Sequence, residues 1–287
     1  MKYKIINNYR TNDILRKSFN ILAEKTFGLS FESWYQNGFW NDEYIPYSAV
    51  IDNTVIANVS VNIMNCELDG NAKQYIQLGT VMTDEKYRNQ GIIRAIINQI
   101  KCDYKNVDGM FLWANDEVTD FYPKFGFEKA DEFRYRCDVS ESEDYCAKQI
   151  NMQTAKDWHN FLEKKSNLKS NGILDMHTDD LLMFYLTQFM QETVYYIKNI
   201  NAYAIAEIEN DNLTIFDILS ENSVDLNAVV KAFGKNIKQV DFAFIPKEVD
   251  GLEKYKYHED DTTFFILGSK LKNDMQKILS FPQLTHA

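Results

Sequence analysis

The chain's 287 residues are 45% hydrophobic and 25% charged, the make-up of a globular protein that can bury a core in one large domain or two of ordinary size. A net charge of −11 argues against a nucleic-acid backbone or an anionic membrane surface as partner and leans towards cationic partners such as amines. Four cysteines (Cys66, Cys102, Cys137, Cys146) lack C-x-x-C spacing and four histidines (His159, His177, His258, His286) are scattered, which predicts free thiols in a reducing compartment and no metal site.

The opening MKYKIINNYR is not a secretory leader, and no run is long and apolar enough to span a bilayer, so the expected location is the cytoplasm. Residues 2–9 read as a strand. Thr11 is a good N-cap, and Ile14, Leu15, Ser18, Phe19, Leu22 and Ala23 recur at helical spacing, which predicts a helix over 12–26. FESWYQNGFW, residues 31–40, predicts a shorter amphipathic helix or turn. In YSAVIDNTVIANVSVNIM two strand-like runs meet at Asp52-Asn53, a hairpin signal. Residues 74–83 predict another strand. A helix follows over 89–103, with Ile92, Ala95, Ile96, Gln99 and Ile100 as its stripe, and then a buried strand over 110–114. Asn115 caps a predicted short helix over 117–125, and strands over 127–130 and 133–139 close the unit. VSESEDY is the clear break in composition, which places a linker at 140–147 between domains at 1–139 and 148–287.

Beyond the linker the same kinds of element return. Strands are predicted over 149–152, 193–199, 202–209, 213–220 and 240–245, and helices over 154–166, 179–189 and 224–234. One ungapped register lays KFGF (124–127) on KYKY (254–257), Asp131 on Asp261 and Tyr135 on Phe265, the mark of a degenerate internal repeat. The repeat breaks at one place. In the second copy LTIFDILS runs through SEN almost directly into VDLNAVVKAF, with no counterpart of DEKYRNQG.

That missing stretch is the chemically pointed one. KYRNQGIIR holds three cations and no carboxylate inside an acidic chain, and it sits where an apolar helix pattern begins. The first N–H groups of a helix have no intrahelical partner, and the helix dipole adds partial positive charge there. A loop that wraps before the helix can aim those donors at one point, and glycine lets its backbone approach closely with positive φ. The bland reading, an ordinary helix start with surface cations, is decided against by a second stretch, DFYPKFGFEKA, with an aromatic pair, a tight turn at Gly126 and an aromatic opening a strand.

R-x-x-G after a strand ending in TVMT, with F-Y-x-K-F-G-F downstream, resembles the GNAT superfamily of acetyl-CoA-dependent N-acetyltransferases, over about residues 1–139. The resemblance implies an α/β (α+β) fold of two tandem GNAT-like domains, each a mixed, mostly antiparallel twisted sheet flanked by helices, the second lacking the pyrophosphate loop. It implies that the backbone of Arg88, Asn89, Gln90, Gly91, Ile92 and Ile93 holds the pyrophosphate of acetyl-CoA. It further implies that Val81, Met82 and Thr83 offer main-chain groups to the pantetheine arm and the thioester oxygen, that Asn115 touches the arm, and that Tyr122 is the general acid. Ile93 departs from the Gly or Ala usual at the end of the loop motif. R-x-x-G-[LI]-[LI]-R-A is similar to the tandem branch of the enhanced-intracellular-survival aminoglycoside acetyltransferases, where that place is apolar. The chain has no room for that branch's C-terminal sterol-carrier-like domain.

The implied reaction is direct attack of a primary amine on the thioester in a ternary complex. Glu32, Asp42, Glu43, Glu67 and Asp84 are candidates for the base by position, each equally a solvated carboxylate. Trp34, Tyr35, Trp40 and Tyr44 are a candidate acceptor wall, able to hold a cationic amine on their ring faces or simply to pack over the sheet edge. The expected partner is a small-molecule or peptide amine, with no nucleic acid, no membrane and no metal. A homo-oligomer interface on the second domain stays open. The rival readings are a non-catalytic acyl-CoA-binding or interaction module on the same fold, and transfer of a longer acyl chain.

Overall fold

Asp52 and Asn53 both take left-handed backbone (φ 45° and 62°), the turn that matches the twist of a two-residue hairpin, and the first sheet grows from it. The structure is a computed structural model of the chain, and residues 2–139, 145–234 and 236–287 are described. The first half runs β1 (Lys4–Asn7), α1 (Asp13–Phe27), α2 (Glu32–Gln36), β2 (Tyr44–Ile51), β3 (Thr54–Leu68), β4 (Asn71–Thr83), α3 (Ile92–Asp103), β5 (Gly109–Asn115), β6 (Glu128–Lys129) and β7 (Glu132–Asp138). The second runs β8 (Lys148–Gln149), α4 (Ala155–Lys165), β9 (Lys169–Ser170), β10 (Leu174–Met176), α5 (Asp179–Gln188), β11 (Val194–Ile197), β12 (Ala202–Glu209), β13 (Asn212–Ser220), α6 (Leu226–Lys231), β14 (Gln239–Phe242), β15 (Glu253–Tyr257), β16 (Thr262–Leu267) and α7 (Ser269–Ile278).

The predicted elements return with shifted ends. The cap of α1 is Asn12 rather than Thr11, because the Asn12 carboxamide reaches the N–H groups of Ile14 and Leu15 at 3.1 and 3.2 Å. The short helix expected over 117–125 is two separate 3₁₀ turns, Asp116–Val118 and Tyr122–Phe125, the second holding Pro123 in its first turn and ending at Gly126 with φ 90°. The strands β9, β10, β15 and β16 and the helix α7 go unassigned in the sequence reading. The first two are only two and three residues long, and α7 shows a thin stripe of Leu271, Met275 and Ile278.

Two mixed sheets of eight strands result, flanked by helices. The first has the order β1-β2-β3-β4-β5-β16-β6, with β10 on the free edge of β3. The second has the order β15-β7-β14-β13-β12-β11-β8, with β9 on β13. Sheet membership therefore crosses the division drawn between residues 139 and 148. β7, from the first half, lies between β14 and β15, pairing Tyr135 with Phe242 and with Lys254. β16, from the second half, lies between β5 and β6, pairing Phe265 with Leu112 and with Lys129. These are the two strands that the sequence register lays on each other, so the repeats exchange equivalent strands. Of the stretch read as a linker, residues 140–144 lie outside the described residues, while the N–H groups of Cys146 and Ala147 both donate to the carbonyl of Ala232.

The exchange places core residues of each half in the other's interior. Phe265 is fully buried among Ile96, Ile97, Ile100, Leu112 and Tyr122. Phe281 stacks on Phe111 with centroids 3.9 Å apart. A third contact joins the helices: Phe184 of α5 stacks on Phe31, and Trp34 donates its indole N–H to the carbonyl of Asp180 at 2.8 Å. A fragment of residues 1–139 lacks β16, so circular dichroism should show it without a native melting transition while the full chain melts cooperatively. In the full chain, Phe265→Ala should lower the urea-unfolding free energy by about 3–5 kcal/mol.

Candidate functional site

The site begins where two parallel strands part. β4 and β5 pair only from Tyr75–Gly109 to Gln77–Phe111, so beyond Gln77 the edge of β4 that faces β5 has no strand partner. A bulge helps to turn β4 away. Asn58 pairs with Met82 and Ser60 with Gly79, which leaves Thr80 and Val81 opposite one residue of β3. Thr80 takes φ 47°, a costly backbone for a β-branched residue. Buried Asn58 holds it there, donating to the Thr80 carbonyl at 2.9 Å, while the Tyr44 hydroxyl meets Thr80 Oγ1 at 2.9 Å and Ser60 at 2.9 Å.

The loop after β4 folds as its composition suggests. Asp84 caps the 3₁₀ turn Glu85–Tyr87, Asn89 takes φ 60°, and Gly91 takes φ 75° at the N-cap of α3. That N-cap has no side-chain bond to the helix, and no acidic residue stands in the first turn. The leading N–H groups of α3 are thus left for an external acceptor. They face a cavity of about 590 Å³ lined by Val81, Met82 and Thr83, by every residue from Tyr87 to Arg94, and by Lys124. Among the described residues, none of Lys86, Arg88, Arg94 and Lys124 pairs with a carboxylate. The ten residues expected to bind the cofactor thus gather on one path, except that Asn115 stands deeper. It caps the turn after β5, accepting from Glu117 N–H at 2.9 Å, and lines the next cavity.

That next cavity, also about 590 Å³, is the gap between the parted strands, with Leu78–Val81 on one wall and Trp113–Asn115 on the other. It shares Val81, Ile93, Phe121 and Lys124 with the loop cavity. Ile93, the departure from the motif, forms part of the common wall without closing it. Tyr122 lines the gap. Its ring is buried against Phe121, Phe127 and Phe265, and its hydroxyl has no hydrogen-bond partner among the described residues. Burial pushes its pKa up to about 12, so it stands as a neutral phenol able to donate.

A third cavity, of about 320 Å³, opens on the far side of Thr80 and shares Phe27, Thr80 and Ala287 with the gap. Trp34 and Tyr44, two of the four residues expected at the acceptor, line it, while the Tyr35 ring lies under the Arg16 guanidinium, 3.8 Å from it. Trp40 does not line it either: it lies behind Trp34 and Tyr44, stacked on Trp34 and donating its indole N–H to the Tyr44 carbonyl. None of the carboxylates considered as a base faces any of the three cavities. Glu32 is bound to Arg16 at 2.9 Å, which together with Gln36 holds its pKa below the usual range. Asp42 pairs with Arg10, Asp84 caps its turn and pairs with Lys25, Glu43 accepts from Asn65, and Glu67 sits opposite Asp175. The sequence reading missed Gly79, Thr80, Phe27, Phe184, Tyr185 and His286. Bulge position and cross-half contacts select them, and no local pattern marks either. A Cβ on Gly79 would run into the Ala287 backbone, so only glycine admits the C-terminal segment here.

The second sheet offers no such gap. Its parallel strands β13 and β14 part after Ile215–Phe242, but β9 pairs with Leu219 and Ser220, and Asn171 bonds Ile218 and Ser220. The carboxylate of Asp225 caps α6, so that helix start is already satisfied. Among the described residues there is no group of side chains suited to a metal ion, and no helix is long and apolar enough to cross a membrane.

Residues 10–127 match the model of the Acetyltransferase (GNAT) family. A search of curated proteins returned no match. Among solved structures, a conserved protein of unknown function from Enterococcus faecalis superposes with a TM-score of 0.63 at 13% identity, covering 96% of this chain and 75% of that one. A GCN5-related N-acetyltransferase from Kribbella flavida gives 0.54 at 13% identity, over 92% and 70%. Eis1 from Mycobacterium abscessus gives 0.51 at 9% identity, over 92% and 72%. At these identities the likeness is one of fold, and it extends across both sheets.

Gly91→Val places a branched side chain on left-handed backbone, a cost of roughly 1–2 kcal/mol, and moves the N–H groups that follow. Calorimetry should show coenzyme A bound at least tenfold more weakly. Arg88→Ala should weaken binding several-fold at low ionic strength and less at high salt, since the side chain is exposed.

Proposed function

We propose that the chain, whose residues 10–127 match the model of the Acetyltransferase (GNAT) family, moves the acetyl group of acetyl-CoA to a primary amine in a ternary complex. The observation that carries this is Tyr122: an unpartnered phenol in a gap that joins a loop suited to an anion at one end to an apolar pocket at the other. The α3 start and its cations suit the pyrophosphate. The free edge of β4 suits the pantetheine amides, and one of its N–H groups, at Met82 or Thr83, suits the thioester oxygen as negative charge develops there.

The amine nitrogen attacks the thioester carbon, a C–N bond forms and the C–S bond breaks. The leaving thiolate takes the Tyr122 proton, and the proton lost by the nitrogen balances it through solvent. Among the described residues no acidic side chain lines the apolar pocket, and desolvation by its wall favours the neutral amine, while Glu117 and Asp120 line the adjoining gap.

Tyr122→Phe removes the proton donor and keeps the ring. It should leave acetyl-CoA affinity near normal and lower turnover at least tenfold, within the ~10²–10⁴ usual for a positioned acid. Thiol release at saturating substrate reads this, and unchanged turnover would remove Tyr122 from the chemistry. Stabilisation by acetyl-CoA without turnover on any amine would favour a binding module. The sign of the pH effect is also fixed. A phenol with its pKa raised from about 10 to about 12 keeps its proton as pH rises, so kcat should show no alkaline loss through pH 9.5 and fall only as Tyr122 ionises.

A further inference from the structure

We propose that the acceptor is a monoamine on an aromatic or branched hydrocarbon body, seated in the pocket of Phe31, Trp34, Tyr44, Leu181, Phe184 and Tyr185, and that this wall selects against polycations. The inference rests on acyl transfer as read above. No Asp, Glu, Lys or Arg lines the pocket. Its titratable side chains stay uncharged near neutral pH: burial raises the Tyr44 and Tyr185 pKa values, and burial, then the nearby Arg134, pushes His286 down to about 3. A polyamine or aminoglycoside would strip several ammonium groups of water with no acidic side chain in the pocket to receive them. A monoamine has one such group, and it must lose that proton to react.

The shape points the same way. Phe184 and Tyr44 flank Phe31 with interplanar angles of 17° and 19° and centroids 5.4 and 5.6 Å away, a flat-sided wall suited to a flat body. The pocket also has its own mouth. Phe27 and Phe189, 47% and 57% exposed, stand at it, and none of the pyrophosphate-loop residues does. A separate entrance serves a second substrate, whereas an acyl chain carried in on coenzyme A would need none.

The test is a kcat/KM panel on the full chain with acetyl-CoA, using 2-phenylethylamine and tryptamine against spermidine and kanamycin, with calorimetric titration of 2-phenylethylamine into the coenzyme A-loaded protein. At least tenfold preference for the aromatic amines, with measurable binding heat, is the expected result. Phe184→Ala should raise KM for 2-phenylethylamine at least tenfold with KM for acetyl-CoA unchanged. Phe189→Asp, at a position 57% exposed, should shift preference towards spermidine with an unchanged circular dichroism melt. Preference for spermidine or kanamycin in the unaltered chain, or no heat with 2-phenylethylamine, would overturn the inference and leave acyl transfer standing. Hexanoyl-CoA used in preference to acetyl-CoA, with that preference lost in Phe184→Ala, would assign the pocket to the acyl chain instead. Absence of coenzyme A binding would remove the parent reading as well.

Discussion

The hydrogen bond from Asn58 to the Thr80 carbonyl is the constraint on which the site depends. It holds two residues of β4 in a bulge and keeps a threonine on backbone it would otherwise avoid. With that bulge in place, β4 cannot continue its ladder with β5. The gap that opens supplies unpaired main-chain groups, a wall for Tyr122 and a junction with the apolar pocket. Tyr44 ties the two ends together, because its hydroxyl braces the bulge while its ring belongs to the pocket. The energetic cost of local strain is offset by a buried chain of hydrogen bonds through Ser60, Asn58 and Ser48 to Tyr9.

The two halves are alike in plan and opposite in use. In the first sheet the parting of parallel strands is left open and the following helix starts uncapped. In the second the same parting is filled by β9 and Asn171, and the helix is capped by Asp225. The second half serves the first in another way: α5 supplies Leu181, Phe184 and Tyr185 to the apolar pocket, and the C-terminal segment supplies His286 and Ala287.

What the sequence made legible was local. The loop, its glycine, the aromatic pair and the hairpin at Asp52-Asn53 are short patterns whose physics needs only neighbours in the chain. The repeat register found the two exchanged strands, yet nothing in Tyr135 or Phe265 says which sheet each joins, because both sheets present equivalent edges to an alternating apolar strand. The apolar pocket was half legible. Trp34 and Tyr44, picked out by composition, line it, whereas Trp40 differs from them only in facing the interior, and Phe184 and Tyr185 arrive from far along the chain. The carboxylates near Phe31 were read as candidates for proton transfer, and partners such as Arg16 and Asn65 took them instead.

The exchanged strands also bear on how the molecule comes into being. A nascent chain folds its amino-terminal parts first where it can, but the strand that completes the first sheet is Thr262–Leu267, which follows every other described strand in the chain. Until the ribosome has released that segment, β5 stands with one side bare beside β6, and β7 waits without either neighbour. Completion of the first sheet therefore waits on the last strand in chain order, and the unfinished chain presents naked strand edges that a chaperone would have reason to shield.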